Sequence, residues 1–299
     1  MILVTGANGF VGRHVVRELA ARQHRVRAMV RDLRGAKSLE DAECELVRGD
    51  ITDPESLRAA LDGCEAVVHL VAIIVGKPQD FERVMAQGTR DLMAAARAAG
   101  VTRFVHMSAL GIGEQTKDLV PYYRAKWEME QAVNASGLGH VIFRPSFIFG
   151  TDGGVLPRFL RIARLAPVTP IVGPGTQRLQ PVWVDDVAAF FARAVELKAE
   201  PALTVELGGP DVVTWNELWA RLKAALGARR PTVHLPFWLM KPQAALLERL
   251  PGAPLTRDQL KMLAAGDNVV ADEAPMLSLD VPCMSLDDQL RRAVEALRG

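Results

Sequence analysis

Residues Thr5–Gly12 read TGANGFVG, three glycines at three-residue spacing between the apolar run Ile2–Thr5 and an amphipathic stretch that continues through Val15, Val16 and Leu19. Few folds accommodate that arrangement. The glycines permit a tight turn and close approach of a pyrophosphate to the backbone, while the helix start offers unpaired N–H groups and a favourable dipole. Gly6, Gly9 and Gly12 take these roles. Alone, such a segment is just as well a glycine-rich turn before an ordinary helix; here the strand before it and the helix after it favour a dinucleotide.

The rest of the N-terminal half supports that reading. Apolar, β-rich runs at Ile2–Thr5, Val26–Val30, Glu45–Val47, Ala66–Val71, Arg103–Met107 and His140–Phe143 alternate with amphipathic stretches, as in a parallel sheet with crossover helices. The expected fold class is therefore α/β, a Rossmann-type doubly wound parallel sheet with a smaller, interleaved C-terminal α/β region. Asp53-Pro54-Glu55 predicts a capped helix start, with Gly63 ending that helix. After Phe149-Gly150 the alternation fades and proline and glycine become denser. Residues 1–150 are assigned to the dinucleotide domain, completed by a return at about 181–208 that comprises a strand, a helix and the strand Thr204–Leu207. Residues 151–180 and 209–299 form the smaller substrate or interaction region. Within it, Thr214 predicts a cap for a helix through Leu226, and Pro231, Pro236, Pro242, Pro251 and Pro254 break the helical remainder.

A nicotinamide dinucleotide site that prefers NAD presents a carboxylate about 20 residues beyond the glycines. Here Val30 ends the second run and Arg31 follows, with Arg34 and Lys37 close behind. These cations suit a 2′-phosphate, so NADP(H) is favoured and NAD(H) is the alternative, in which Asp32 supplies the ribose contact. Asp50-Ile51, after the third run, is placed at the adenine; the alternative is a simple strand-end turn.

Composition excludes several function classes. The formal charge of +1 over 299 residues gives no field to attract nucleic acid, which is not expected as a partner. Cys44, Cys64 and Cys283 lie far apart without metal-ligand spacing, so neither a disulfide framework nor a metal is proposed, and a reducing compartment fits. The longest apolar run, Ala66 to Val75, carries His69 and is too short to span a bilayer. With no signal-peptide pattern ahead of Met1–Val4, the expected location is cytoplasmic.

At this point the chain resembles the extended and atypical short-chain dehydrogenases/reductases, the NAD-dependent epimerase/dehydratase-like group. The resemblance rests on TGANGFVG, GDITDP at Gly49–Pro54, HLVA at His69–Ala72, YYRAK at Tyr122–Lys126 and RPSFIFG at Arg144–Gly150. PVWVDDVA at Pro181–Ala188, LTRDQLKML at Leu255–Leu263 and Asp267-Asn268 look like the branch related to the nucleotide-binding accessory subunit of respiratory complex I. The resemblance implies cofactor contacts from Asn8, Phe10, Val11, Val71, Ala72, Lys126 and Pro145 besides the glycines. It makes Tyr122 the proton donor to a substrate oxygen and Lys126 its electrostatic support. Four residues apart, the two share a helix face, and a phenol with an ordinary pKa near 10 needs such help at neutral pH. Tyr123 has no lysine at that spacing.

Two positions depart from the family pattern. FVHMSALG from Phe104 to Gly111 puts Ala109 where family enzymes carry Ser or Thr, and Met85 stands where extended members carry Asn. Ser108, one residue from the expected hydroxyl, should point elsewhere because strand side chains alternate. Two functions follow as expectations. One is an oxidoreductase acting on a carbonyl or quinone-like small molecule. The other is a non-catalytic, cofactor-stabilised accessory or assembly protein of a respiratory or quinone-synthesising membrane complex, placed peripherally on the inner face of a membrane.

Remaining features receive structural readings. His69 and His106 sit in apolar strands without partners at metal-ligand spacing. Asp185 and Asp186 are expected to cap a helix beginning near Val187. Phe237, Trp238, Leu239, Met240, Leu246, Leu247 and Leu250, with Lys241 and Arg249, are read as the core of the small region, with a membrane surface or an apolar substrate pocket as alternatives.

Overall fold

The computed structural model describes residues 1–198, 202–240 and 256–297. Its centre is a seven-stranded parallel sheet formed by β1 (Ile2–Thr5), β2 (Val26–Val30), β3 (Cys44–Arg48), β4 (Ala66–His69), β5 (Arg103–Met107), β6 (Gly139–Pro145) and the strand Ala202–Leu207. The spatial order is β3-β2-β1-β4-β5-β6 followed by Ala202–Leu207. The chain therefore reverses direction across the sheet between β1 and β4, and ligands of doubly wound folds bind outside the strand carboxyl ends at such a point. Fully buried runs such as ILVT in β1 and AVVH in β4 arise because helices cover both faces of a parallel sheet.

On one face, Leu3, Val67, Phe104 and Ile142 pack beneath α2 (Pro54–Leu61), α4 (Gly88–Ala98) and α5 (Pro121–Asn134), through Leu57, Leu61, Leu92, Ala96 and Val133. On the other, α1 (Phe10–Ala21) lies against the helix Val184–Val195, whose Phe190 and Phe191 tilt against Phe143 of β6. Asp53 caps α2 by accepting from the N–H groups of Glu55 and Ser56, and Gly63 beyond the helix has φ +68°.

Three strands extend beyond their expected ends, to Cys44–Arg48, Gly139–Pro145 and Ala202–Leu207, and two other boundaries shift in ways that bear on the site. β4 ends at His69 rather than Val71, because its pairing with both neighbours stops there, at Thr5 of β1 and His106 of β5, after a last bond from Leu70 N–H to Thr5 O at 3.2 Å. Asp185 and Asp186 do not precede their helix; it begins at Val184, and both carboxylates lie inside its first turn. There they complement the positive end of the helix dipole, and Asp185 Oδ1 lies 2.6 Å from His14 Nδ1 of α1.

The chain divides into two compact units. The first comprises Met1–Pro145, Val184–Leu207 and Ala271–Pro282 and contains the sheet; the second comprises Ser146–Trp183, Gly208–Val270 and Cys283–Gly299. In the second unit Phe149, Leu160, Trp183, Trp219, Leu222, Leu286 and Leu290 form the core. Its helix Trp215–Leu226 opens on a Thr214/Glu217 capping box and closes on Gly227 with φ +65°. A second capping box, Thr256 with Gln259, starts Arg257–Ala264. Of the apolar stretch, Phe237–Met240 are described, and Trp238 is 73% exposed; Lys241, Leu246, Leu247, Arg249 and Leu250, with Pro242, Pro251, Pro254 and Leu255, lie outside the described residues. Among the described residues no helix is long and apolar enough to cross a membrane, and no cluster of metal-ligating side chains is present.

Candidate cofactor and active site

The glycine-rich turn joins β1 to α1 at the sheet's reversal. Gly6 has φ +71°, and a Cβ there would stand 3.1 Å from the backbone of Leu70 and Val71. A Cβ on Gly12 would lie 2.1 Å from Gly6 O, so the helix can close on the turn only without a side chain. Gly9, extended at φ −72°, is the N-cap of α1 and provides no side-chain cap. The first N–H groups of Phe10, Val11 and Gly12 are thus left facing the turn, as a pyrophosphate requires. Asn8 and Gly9 are exposed at its rim. We expect Gly9→Val to keep the fold, since among the described residues a Cβ there meets only Gly6 O, at 3.1 Å, which a small shift of this exposed turn relieves, while removing nucleotide binding by occupying the phosphate approach; calorimetry on the folded variant measures this, and unchanged affinity would place the phosphates elsewhere.

At the edge of the turn, Arg31, Arg34 and Lys37 are all exposed. The Asp32 carboxylate accepts from Arg34 N–H at 3.0 Å and caps the short turn Leu33–Gly35. Asp50 accepts from the Thr52 N–H and hydroxyl at 2.9 and 2.8 Å. Burial alone would raise its pKa, but these bonds, with the charges of Arg31 and Arg83, bring it below the ordinary carboxylate range. Ile51 is buried in the sheet core and meets the place where a Gly88 Cβ would stand. The backbone at residues 50–51 can still border an adenine. Val71 and Ala72 are half-buried just beyond β4, and Pro145 closes β6 with its carbonyl accepting from Leu110 N–H at 2.9 Å.

A polar seam crosses the carboxyl ends of the central strands. His69 Nδ1 lies 2.7 Å from Thr5 Oγ1 and its Nε2 3.0 Å from Thr89 Oγ1. The Thr89 hydroxyl donates to Met85 O at 2.6 Å, so it accepts from Nε2–H, and Nδ1 accepts from Thr5: a neutral tautomer assigned from its partners. Burial pushes His69 down to about 3, with the Lys126 charge acting in the same direction. His106 stacks on it at 5.3 Å and is likewise lowered by burial.

The sign of the pH dependence follows. An unfolded histidine takes up a proton near pH 6.5 and folded His69 does not, so acid favours the unfolded chain. Lowering the pH from about 6.5 to about 5 should cost about 2 kcal/mol through His69, and His106 acts in the same direction. Urea midpoints across that range measure it; a flat profile would show that the fold accepts the protons.

α5 carries the proposed catalytic pair. Lys126 is 1% exposed and donates to Met107 O at 2.6 Å. Burial pushes its ammonium down to about 7, while the Glu130 carboxylate pulls it up. Glu130, itself 1% exposed, is held in a two-pronged pair with Arg144 of β6 at 2.9 and 2.5 Å. Tyr122 is half-buried, its ring edge-on to Phe81 at 6.4 Å, and burial raises its phenol above the ordinary value. Met85 has no exposed surface and joins Phe81, Ala125 and Met129 in an apolar cluster that Tyr122 borders. It sits in a π-helical turn, Glu82–Gln87, between α3 (Pro78–Phe81) and α4. Such turns in helices accompany functional sites. Ala109 is half-buried, whereas the Ser108 hydroxyl is buried and has no hydrogen-bond partner among the described residues.

Sequence reasoning did not single out Thr5, Thr89, Glu130 or Arg144. Thr5 and Arg144 appear there only as members of the TGANGFVG and RPSFIFG motifs, and Glu130 leaves a signal in the four-residue spacing Tyr122, Lys126, Glu130 along one helix face.

Comparison with known proteins agrees with this geometry. A family described as NAD(P)H-binding matches residues 6–196. The ceramide reductase of Caulobacter vibrioides is 33% identical over 240 residues, covering 79% of this chain and 74% of that protein. Subunit 9 of the mitochondrial NADH dehydrogenase [ubiquinone] 1 alpha subcomplex of Arabidopsis thaliana is 28% identical over 293 residues, covering 91% of this chain and 71% of that one. The crystal structure of gox2253 superposes with a TM-score of 0.81 at 26% identity, covering 100% of this chain and 98% of that one. With the glycine turn, the strand order and these matches together, the chain belongs to the NAD(P)H-binding family, among the atypical short-chain dehydrogenases/reductases.

Proposed function

We propose that the chain is an NADPH-dependent reductase of a carbonyl or quinone-like small molecule, with Tyr122 as proton donor and Lys126 as its electrostatic support. The observation that carries the reading is Lys126, a buried ammonium one helical turn beyond Tyr122 and tied to the end of β5. A lysine that serves only the surface would not be desolvated in this way. Its charge favours the developing phenolate, and its pKa near 7 means that this help fades as the pH rises above neutrality. The raised phenol pKa keeps Tyr122 protonated, which suits donation to a reduced carbonyl oxygen. Bound NADPH would supply the hydride. The fit of the dinucleotide rests on the uncapped start of α1 and on a turn whose closure onto that helix leaves no room for a side chain at Gly12.

Preference for NADPH is supported by Arg31 beside Asp50, since no carboxylate ends β2. Calorimetry is expected to show tighter binding of NADPH than NADH, with Arg31→Ala costing about 1.5–3 kcal/mol for NADPH alone. Equal affinities, or an NADH preference that survives the substitution, would defeat this part. Steady oxidation of NADPH by carbonyls or quinones tests the reductase itself.

A second reading, a cofactor-stabilised accessory protein of a respiratory membrane complex, is favoured by Ala109 and Met85, which remove two polar groups from the site. The similarity to the complex I subunit points the same way. In that case loss of nucleotide binding weakens stability and assembly, and Tyr122→Phe does nothing in cells.

A further inference from the structure

We infer that the substrate of the Tyr122 site is an apolar, chain-bearing ketone or aldehyde, packed against residues 72–75 rather than recognised through hydroxyl groups. This rests on the reductase reading and adds the substrate class. Phe81, Met85, Ala125 and Met129 are buried around Tyr122, with Ala72 and Ile73 partly buried against them. The chain then presents Ile74 and Val75 to solvent, each 68% exposed. Adjacent exposed aliphatic side chains that continue in the chain from the apolar wall Tyr122 borders suit an apolar ligand.

Three polar side chains of the segment leading into and opening α5 are engaged elsewhere. The Thr116 hydroxyl donates to Gly111 O at 2.6 Å, Lys117 pairs with Glu114, and Arg124 pairs with Asp118. The Ser108 hydroxyl is buried, and neither Ala109 nor Met85 can hydrogen-bond a substrate hydroxyl through its side chain in the family manner. A polyhydroxylated substrate finds no hydroxyl or amide side chain at positions 85 and 109 to replace its water bonds, whereas methylenes gain by leaving water. In the reaction, a hydride from the dihydronicotinamide adds to the carbonyl carbon and the C=O π pair takes the Tyr122 proton. Bound NADPH would be the two-electron donor and leave as NADP+, and the Tyr122 phenolate is reprotonated from solvent.

The NADPH-loaded protein is assayed with a homologous series of straight-chain methyl ketones and with a ketose. We expect kcat/KM to rise about fourfold per added methylene over the first members, equivalent to about 0.8 kcal/mol each, and the ketose not to react. The doubly substituted Ile74→Glu/Val75→Glu protein, altered only at exposed positions, should lose about tenfold or more in kcat/KM for long ketones, chiefly through KM, with NADPH affinity unchanged. Turnover that is flat with chain length, or faster with the ketose, would overturn the substrate class and leave the reductase reading standing. Should no ketone react, calorimetric binding of the same series decides: affinity that grows with chain length and is lost in the Ile74/Val75 variant upholds the apolar site while the reductase reading fails. Absence of such binding overturns the inference.

Discussion

Tyr122→Phe is expected to lower turnover on a true substrate by about 10²–10⁴, the range for losing a general acid, with NADPH affinity nearly unchanged. The substitution removes one hydroxyl and keeps the ring that packs edge-on against Phe81, so the fold should not respond. Stopped-flow single turnovers with NADPH separate the loss of chemistry from any change in binding. Introducing Ala109→Ser into the otherwise native chain restores the hydroxyl at the half-buried position beyond β5 and should raise the rate if a missing substrate hydrogen bond limits it; comparable donors elsewhere are worth about 10²–10³. Full activity of Tyr122→Phe would remove the phenol from the mechanism. A cellular defect of the same variant, with stability and NADPH binding intact, would exclude a purely structural role.

The largest expected effect on stability comes from Arg144→Met. Glu130 is 1% exposed and its carboxylate is met by Arg144 at 2.9 and 2.5 Å. Deleting the guanidinium leaves an uncompensated buried charge, for which breaking one side of such a pair costs about 3–5 kcal/mol. Equilibrium urea unfolding at neutral pH gives the number. Adding Glu130→Gln to Arg144→Met removes the charge and should recover most of the loss, since the penalty belongs to the unpaired ion rather than to the missing contact. A loss under about 1 kcal/mol in the single variant would mean that water reaches Glu130. The same double variant bears on chemistry: Glu130 holds up the pKa of Lys126, so without it the ammonium should lose its charge at still lower pH. Reduction should then decline with rising pH earlier than in the native chain.

What the residue order determined by itself is local. The turn at Thr5–Gly12, the Asp53 cap with Pro54, the Thr214 cap of a helix running to Leu226 and the shared face of Tyr122 and Lys126 each depend on residues within a few positions. Backbone geometry, unpaired N–H groups and helical spacing act over that distance, so they could be read without the fold. The alternation of strands and helices likewise implied a doubly wound sheet, and the sheet has that form. Phase was harder: Asp185 and Asp186 were expected ahead of a helix near Val187, yet the helix starts at Val184 and carries both carboxylates in its first turn, where they complement the helix dipole instead of capping.

Tertiary structure alone decided the chemistry around those residues. Thr5 and His69 are 64 positions apart and meet because β1 and β4 are neighbours across the reversal of the sheet. The roles of the two histidines as neutral, stacked and buried groups, and the Lys126 pKa near 7, come from desolvation by elements distant in the chain. Desolvation depends on how much protein surrounds a group, a quantity that no spacing in the sequence records. Met85 shows the same limit: from the sequence it is a missing asparagine, and in the fold it is part of the apolar wall beside Tyr122.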